Sequence, residues 1–276
     1  MRCAWLLLIA ATFVSGDYLS FTKMVSFGDA MSDAGNGAAV ISKGAIPSVA
    51  YYRGRFSNGP TYNEVIARDL GIPLRSYAVG GATSSDAIAP GYLHHGNATL
   101  RVPGLDTQVA TYVATSDVAD VASTLITLWS GASDEAISDA RTSGAAFADA
   151  QYDQWVVLAK TGARNLLAVV PPPQTPFLQD YGQRMQANAV VFRLEHGDAR
   201  LVLYELPALI AGFLLAPASY GFAHGPDDVC CTACMGNAIV CDDPDAYLTW
   251  DSAGHPTARV HQLIGADAVA FIKTVF

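Results

Sequence analysis

Positive charge is scarce in this chain of 276 residues. Lysine and arginine together number 16 against 25 aspartates and glutamates, which gives a formal net charge of −9 at pH 7. Nucleic acids and anionic membrane surfaces are bound by basic patches, so this balance argues against both as partners. The acidic surface does not by itself identify a ligand.

Long hydrophobic runs are also few. Residues 3–14, which follow Arg2, form an apolar run of about twelve residues, whereas a membrane-spanning helix needs roughly 20. The run ends in the small-residue sequence Val14-Ser15-Gly16, and this combination is typical of a secretory signal peptide. We therefore expect residues 1–16 to be a cleaved signal and the product to be secreted, with an uncleaved signal anchor as the alternative.

Cysteine is rare, and four of the five cysteines lie in one short window, at Cys230, Cys231, Cys234 and Cys241. An even, clustered set in an exported chain predicts two disulfide bonds. A bond between the adjacent Cys230 and Cys231 would need an awkward backbone, which leaves two of the three possible pairings. A zinc site with four cysteine ligands is the competing interpretation, for which a single Cys-x-x-Cys is weak evidence.

Short apolar stretches alternate with amphipathic ones through residues 17–276, in which no repeat or linker interrupts a single domain. Strands are predicted at 23–27, 74–79, 124–129, 165–170 and 200–204, and helices at 61–70, 105–114, 144–161, 183–196 and from Pro256 onward. This alternation predicts a three-layer α/β fold, with a doubly wound parallel sheet and a disulfide-bearing loop before the last helix. Ligand sites in such sheets lie at the carboxyl ends of the strands.

A sharp turn follows the first predicted strand. Gly28 and Asp29 form the turn, and Ser32 or Asp33 can cap a helix that begins directly after it. Such a strand-to-helix turn exposes the side chain at its tip near the positive end of a helix dipole, where an enzyme would place a nucleophile. The residue at the tip is Ala30, whose methyl group cannot attack a substrate.

Four segments resemble the sequence blocks of the GDSL (SGNH) family of serine esterases and lipases, especially its secreted plant- and fungal-type branch, which includes carbohydrate acetylesterases. Residues 27–36 match Phe-Gly-Asp-Ser-x-Ser-Asp-x-Gly-Asn at every fixed position except Ala30, and residues 54–60 read Gly-Arg-Phe-Ser-Asn-Gly-Pro. Residues 77–83 resemble the glycine block, and residues 250–257 resemble the histidine block. The resemblance implies the flavodoxin-like SGNH-hydrolase fold.

The resemblance also implies a serine-hydrolase site, in which a serine attacks an ester carbonyl while a histidine held by an aspartate takes its proton. Carried over by position, Ala30 occupies the nucleophile position, His255 is the base and Asp251 orients it. The oxyanion hole would be formed by the amide of Ala30, by Gly80 or Gly81, and by Ser133 in place of the family's asparagine.

Three further residues are assigned to substrate binding at this edge: Phe56, Asn58 and Asp134. By resemblance, the ligand is a small acyl ester or an acetylated carbohydrate. No metal and no cofactor is expected.

Three departures from the family pattern point to impaired catalysis. Loss of the nucleophile costs on the order of 10⁶-fold in turnover, and loss of one oxyanion donor costs roughly 10²–10³-fold. Asp251 lies four residues before His255 instead of three, which makes their hydrogen bond doubtful. We therefore expect an esterase-family protein that no longer hydrolyses esters; an active secreted ester hydrolase and an engineered Ser-to-Ala variant are the alternatives.

Overall fold

The computed structural model describes residues 21–138 and 142–276. The predicted signal peptide, residues 1–16, lies outside these described residues.

The middle layer is a parallel sheet of five strands. In chain order the strands are β1 (Lys23–Gly28), β2 (Leu74–Ser76), β3 (Gly91–His95), β4 (Ala98–Val102), β5 (Thr124–Trp129), β6 (Asn165–Val170), β7 (Arg200–Glu205), β8 (Cys231–Thr232) and β9 (Ile239–Val240). The sheet has the order β2-β1-β5-β6-β7, and each adjacent pair is parallel. The chain runs outward from β1 to β2 and then returns to β5, so the topological switch point lies between β1 and β5. Ligands of open α/β sheets bind at such a point.

Helices cover both faces of the sheet. In chain order they are α1 (Ala38–Ile41), α2 (Tyr62–Leu70), α3 (Leu105–Thr115), α4 (Val118–Ala122), α5 (Ala132–Ile137), α6 (Gly144–Lys160), α7 (Pro176–Glu195), α8 (Leu206–Leu215) and α9 (Ala258–Val275). On one face, α3, α6 and α7 pack against β-strand side chains that include Phe27. On the other face, α2, α8 and α9 pack against Met24 and its neighbours. The predicted doubly wound fold is confirmed.

Several boundaries differ from prediction. No helix begins directly after the first turn, since α1 starts only at Ala38 and has four residues. The second strand ends at Ser76, although Tyr77 and Val79 still donate backbone hydrogen bonds to β1. The fourth predicted helix begins at Pro176 instead of residue 183, and the last helix begins after the cap residue Thr257 instead of at Pro256.

Several elements were not predicted: the β3–β4 hairpin, α4, α5, α8 and the short strands β8 and β9. Strands β3 and β4 form an antiparallel hairpin, whose tight turn contains Gly96 and the exposed Asn97 of an Asn-x-Thr glycosylation sequon. Helix α8 is almost entirely apolar, so its sequence does not divide into a polar and an apolar face.

The two disulfide bonds join Cys230 to Cys241 and Cys231 to Cys234. This is one of the two pairings left open by the sequence, and it leaves none of these thiols for a zinc site. The backbone N–H of Cys231 donates to the carbonyl of Trp250 at 2.7 Å, so the disulfide loop is attached to the segment that leads to Asp251.

The end of β1 is fixed by the buried side chain of Gln108 from α3. Its Oε1 accepts a hydrogen bond from the Gly28 N–H, and its Nε2 donates to the Gly28 carbonyl, both at 2.9 Å. Gly28 has a φ of +137°, and a Cβ there would lie 1.9 Å from the carbonyl oxygen of Trp129. Only glycine fits this position. The backbone at Gly28, from which the turn with Ala30 begins, is therefore held in one place.

We expect Gln108→Ala to lower the free energy of unfolding by about 1–3 kcal/mol, because it leaves the buried Gly28 N–H without its partner. Urea denaturation measures the change. Gln183→Ala, on the exposed face of α7, is the matched control and should stay within about 0.5 kcal/mol of the unmodified chain. Equal effects of the two substitutions would contradict the assigned role of Gln108.

Candidate active site

The turn after β1 is built by Asp29. Its carbonyl accepts a hydrogen bond from the Ser32 N–H at 3.0 Å, and its Oδ1 accepts one from the Met31 N–H at 3.1 Å. Ala30 lies at the tip and is 8% exposed. Within the described part of the chain its N–H has no hydrogen-bond partner, so it is available to a ligand.

The buried carboxylate of Asp33 determines which of the two glycine N–H groups, that of Gly80 or that of Gly81, is engaged in a hydrogen bond. It accepts hydrogen bonds at 2.8–3.1 Å from the backbone N–H groups of Gly35, Gly37, Ala38 and Gly80. The Gly80 amide is therefore occupied. The Gly81 N–H makes no hydrogen bond to any described residue, which makes Gly81 the candidate for the oxyanion hole.

Asp251 and His255 form a hydrogen-bonded pair. The distance between His255 Nδ1 and Asp251 Oδ2 is 2.7 Å, so the four-residue spacing does not prevent the contact and our expectation was wrong on this point. The loop absorbs the extra residue because Asp251 Oδ1 accepts the backbone N–H groups of Ala253 and His255, at 2.9 and 3.3 Å.

Tyr51 contacts the Asp251 carboxylate, a role that the sequence did not indicate. Its hydroxyl donates to Asp251 Oδ2 at 2.5 Å, across 200 positions of sequence. Burial acts to raise the pKa of Asp251, but the hydrogen bonds and charge of His255, with the bond from Tyr51, outweigh it and lower the pKa. Burial and the Asp251 carboxylate raise the pKa of Tyr51. Asp251 is therefore held as a carboxylate that can orient the imidazole.

Residues 54–60 hold the histidine loop in place. The Phe56 ring packs against His255 with 5.0 Å between ring centroids. The Ser57 hydroxyl donates to the carbonyl of Pro256 at 2.9 Å, and Asn58 Oδ1 accepts the Ala258 N–H at 2.6 Å. Phe56 thus lies beside the candidate base, whereas the side-chain oxygen of Asn58 is used to position the start of α9.

Ser133 and Asp134 lie in the first turn of α5, after β5. The half-buried Ser133 hydroxyl makes no hydrogen bond to the described residues. Asp134 is fully buried and its two oxygens accept the Ser84 N–H and hydroxyl, each at 2.6 Å. Its assignment to substrate binding is therefore corrected: the side chain anchors the loop after Gly81 and is not presented to a ligand.

Three buried carboxyl groups around the site have raised pKa values. Burial raises the pKa of Asp134 to about 7, although its bonds from Ser84 oppose the change. Burial likewise raises the pKa of Asp29 to about 6, against the N–H groups of Met31 and Ser133 and the charge of His255. Burial also raises the pKa of Asp33, against the four N–H groups bonded to it. The charged form of each group is therefore disfavoured by burial.

Neither a metal cluster nor a membrane helix is found among residues 21–138 and 142–276. No group of three or more histidines, cysteines, aspartates or glutamates is arranged there to hold a metal ion. In the same ranges, no helix has the length and apolar character required to cross a bilayer.

The sequence model of the family described as GDSL-like lipase/acylhydrolase matches residues 24–268. A thermolabile hemolysin of Vibrio parahaemolyticus is 24% identical over 275 residues, which cover 88% of this chain and 62% of that protein. A GDSL esterase/lipase of Arabidopsis thaliana is 21% identical, with 97% of this chain and 96% of that protein covered. This chain therefore spans less than two thirds of the first relative and nearly all of the second.

Among solved structures, a family two carbohydrate esterase from Clostridium thermocellum in complex with cellohexaose has a TM-score of 0.54 and 14% identity. The match covers 92% of this chain and 64% of that chain. At this level of identity the likeness supports the fold alone.

We expect the protein to become more stable as pH falls from 8 to 5. The folded-state pKa values of Asp29 and Asp134 lie above the unfolded value of 3.8, so these two groups bind more protons in the folded state over this range. Burial lowers the pKa of His261 to about 3, so this group acts in the opposite direction and offsets part of the gain. Ionisation of Asp29 and Asp134 in the folded state lowers the free energy of unfolding. This loss is complete at pH values above the folded-state pKa values and absent at pH values below the unfolded-state pKa. Asp134→Asn, which mimics the protonated acid, should remove about 2–3 kcal/mol of the difference between pH 5 and pH 8.

Urea unfolding at both pH values measures this effect. Asp153→Asn on the exposed face of α6 is the matched control and should leave the pH dependence unchanged. If Asp134→Asn kept the full pH dependence, the buried carboxyl would not be its source.

Proposed function

The chain belongs to the GDSL-like lipase/acylhydrolase family, and from this premise we propose that it is an extracellular ester-binding protein in which the hydrolytic reaction has been lost. The observation that carries the proposal is that the site retains its base and a candidate oxyanion donor but has no nucleophile. His255 and Asp251 are bonded at 2.7 Å, and the Gly81 N–H has no partner in the described part of the chain, but Ala30 occupies the position that the family pattern gives to the attacking serine.

The remaining groups are suited to binding an ester. The unpartnered N–H groups of Ala30 and Gly81 would receive the carbonyl oxygen, and His255 would face the alcohol oxygen. In an active member of the family the same amides stabilise the oxyanion of the tetrahedral intermediate. Without a nucleophile this intermediate does not form, and the bound ester stays intact.

Neighbouring serines do not replace the missing hydroxyl. Ser32 is fully buried and its hydroxyl is paired with that of Tyr62 at 3.2 Å. Ser26 is also fully buried, and its hydroxyl accepts a hydrogen bond from Asn63 at 2.9 Å. Ser133 lies, by resemblance to the family, in the position of an oxyanion donor and not of an attacking group.

We propose a small acyl ester or an acylated carbohydrate as the ligand. Membership of the GDSL-like lipase/acylhydrolase family favours an ester as the ligand. The fold that this chain shares with a carbohydrate esterase favours a sugar as the alcohol part of that ester. Phe56, packed beside His255, offers an aromatic surface at this position. Binding an ester through these amides and side chains requires no cofactor.

Two observations support an extracellular location. The disulfide bonds Cys230–Cys241 and Cys231–Cys234 are of a kind that persists in oxidising compartments. The sequon residue Asn97 is exposed at the tip of the β3–β4 hairpin, where a glycan would meet no steric obstacle.

Slow hydrolysis by water is a second candidate function, favoured by the intact Asp251–His255 pair. A water molecule near the Ala30 methyl group would give a proton to His255 as its oxygen attacks the carbonyl carbon. The tetrahedral intermediate would then break its bond to the alcohol oxygen, which takes the proton back from His255, so that the alcohol and the carboxylic acid are released. Removing one member of a serine triad leaves a residual 10³–10⁴-fold acceleration over the uncatalysed reaction, so such turnover would remain far below that of an esterase.

We expect the unmodified chain not to react with a fluorophosphonate probe and to hydrolyse 4-nitrophenyl acetate no faster than its His255→Ala variant. Mass spectrometry of the probe-treated protein and a spectrophotometric assay measure the two properties. A labelled serine, or turnover within the usual range of roughly 1–10³ s⁻¹, would refute the loss of catalysis. A rate that falls on His255→Ala but lies well below this range would favour the water mechanism.

Repair of the nucleophile should restore a reactive site. We expect Ala30→Ser to be labelled by the probe, and Ala30→Ser with Ser133→Asn to turn over the ester roughly 10²–10³-fold faster than the single variant, because the amide restores an oxyanion donor. Ala30→Ser with His255→Ala is the control and should remain inactive. A folded Ala30→Ser variant that resists the probe would show that the surrounding groups are not aligned.

A further inference from the structure

An apolar pocket of about 120 Å³ adjoins the candidate site. It lies over the carboxyl ends of β5, β6 and β7, where Trp129, Pro171 and Leu206 contribute to its wall. Helices α8 and α9 close it with Ile210 and Val260. Every lining residue is uncharged, and Gln174 is the one with a polar aliphatic side chain.

The pocket begins at the position where an ester would bind. Met31, in its wall, directly follows Ala30. Ala132 directly precedes Ser133, and Gly254 and Pro256 flank His255. The immediate neighbours of three site positions thus form the near wall, so a group attached to the carbonyl carbon at Ala30 has the pocket next to it.

The size of the pocket exceeds the needs of an acetyl group. An apolar protein cavity of 150 Å³ holds a benzene molecule, and on that scale about 120 Å³ accommodates about four to six carbon atoms. An acetyl group would place a single methyl there and leave most of the apolar wall without contacts. A sugar would have to bury several hydroxyl groups against a wall that is mostly apolar, and each hydroxyl left without a partner there is costly.

We propose that this pocket, lined by Met31, Trp129, Leu178, Leu206, Ile210 and Val260 among others, binds an acyl chain of about four to six carbons. The ligand is then a short-chain acyl ester instead of an acetyl ester, and its polar alcohol part remains outside the pocket. The inference rests on the proposed function, since it assigns the acyl part of the ester bound at the same site.

The test uses glycerol monoacetate, monobutanoate, monohexanoate and monooctanoate, each below its micelle concentration, with affinities measured by calorimetry on the unmodified chain. Affinity should rise about fourfold for each added methylene up to about six carbons, and the octanoate should gain little more. Equal affinities for all four esters would overturn the acyl pocket and leave the ester-binding proposal standing. If none of the four bound, both proposals would be overturned.

Substitutions on α8 test whether the acyl chain of the ester lies in this pocket. Ile210→Trp fills the pocket and should reduce the hexanoate-to-acetate affinity ratio toward one. Leu215→Trp makes a similar change at an 86% exposed position of the same helix and should leave the ratio unchanged. Should Ile210→Trp fail to fold, Ile210→Ala enlarges the pocket and should extend the preference to the octanoate. A ratio that neither substitution at Ile210 alters would overturn the assignment.

Discussion

One buried carboxylate, that of Asp33, holds the two halves of the site together. It gathers four backbone N–H groups from the turn after β1, from the start of α1 and from the glycine segment after β2. It engages the Gly80 amide, whereas the next amide, that of Gly81, has no hydrogen-bond partner among residues 21–138 and 142–276. The arrangement of these candidate oxyanion groups therefore follows from how the chain satisfies a buried charge, and it does not depend on a nucleophile.

Satisfaction of a buried charge also accounts for the aspartate–histidine pair in a site without an attacking serine. Asp251 is 3% exposed, and its carboxylate is bonded to His255, to the Tyr51 hydroxyl and to backbone N–H groups. Removing one partner of a buried carboxylate leaves a polar group unpaired, which costs about 1–3 kcal/mol or more. The pair thus has a structural use beyond catalysis, and its presence is weak evidence for activity.

The layers of the fold and the four sequence segments that carry the site could be predicted from the sequence, because each depends on residues that are close together in the chain. β5 and β6 are apolar except at Thr124, Thr127 and Asn165, and each block lies within about ten residues. The features that could not be predicted depend on contacts between residues distant in sequence. These are the hydrogen bonds from the Tyr51 hydroxyl to Asp251, from the Gly80 N–H to Asp33 and from the Ser84 hydroxyl to the buried Asp134. The doubt over the Asp251–His255 spacing was unfounded because the loop backbone folds onto the carboxylate itself.

The central claim is that the groups around Ala30 are still arranged for ester chemistry and that only the hydroxyl is missing. A crystal structure of the Ala30→Ser variant after reaction with a phosphonate ester tests it most directly. The account predicts that one phosphoryl oxygen lies 2.7–3.1 Å from both the amide of residue 30 and the amide of Gly81, with the imidazole of His255 beside the ester oxygen. A phosphoryl oxygen directed to solvent, with the Gly81 amide bonded elsewhere, would contradict it.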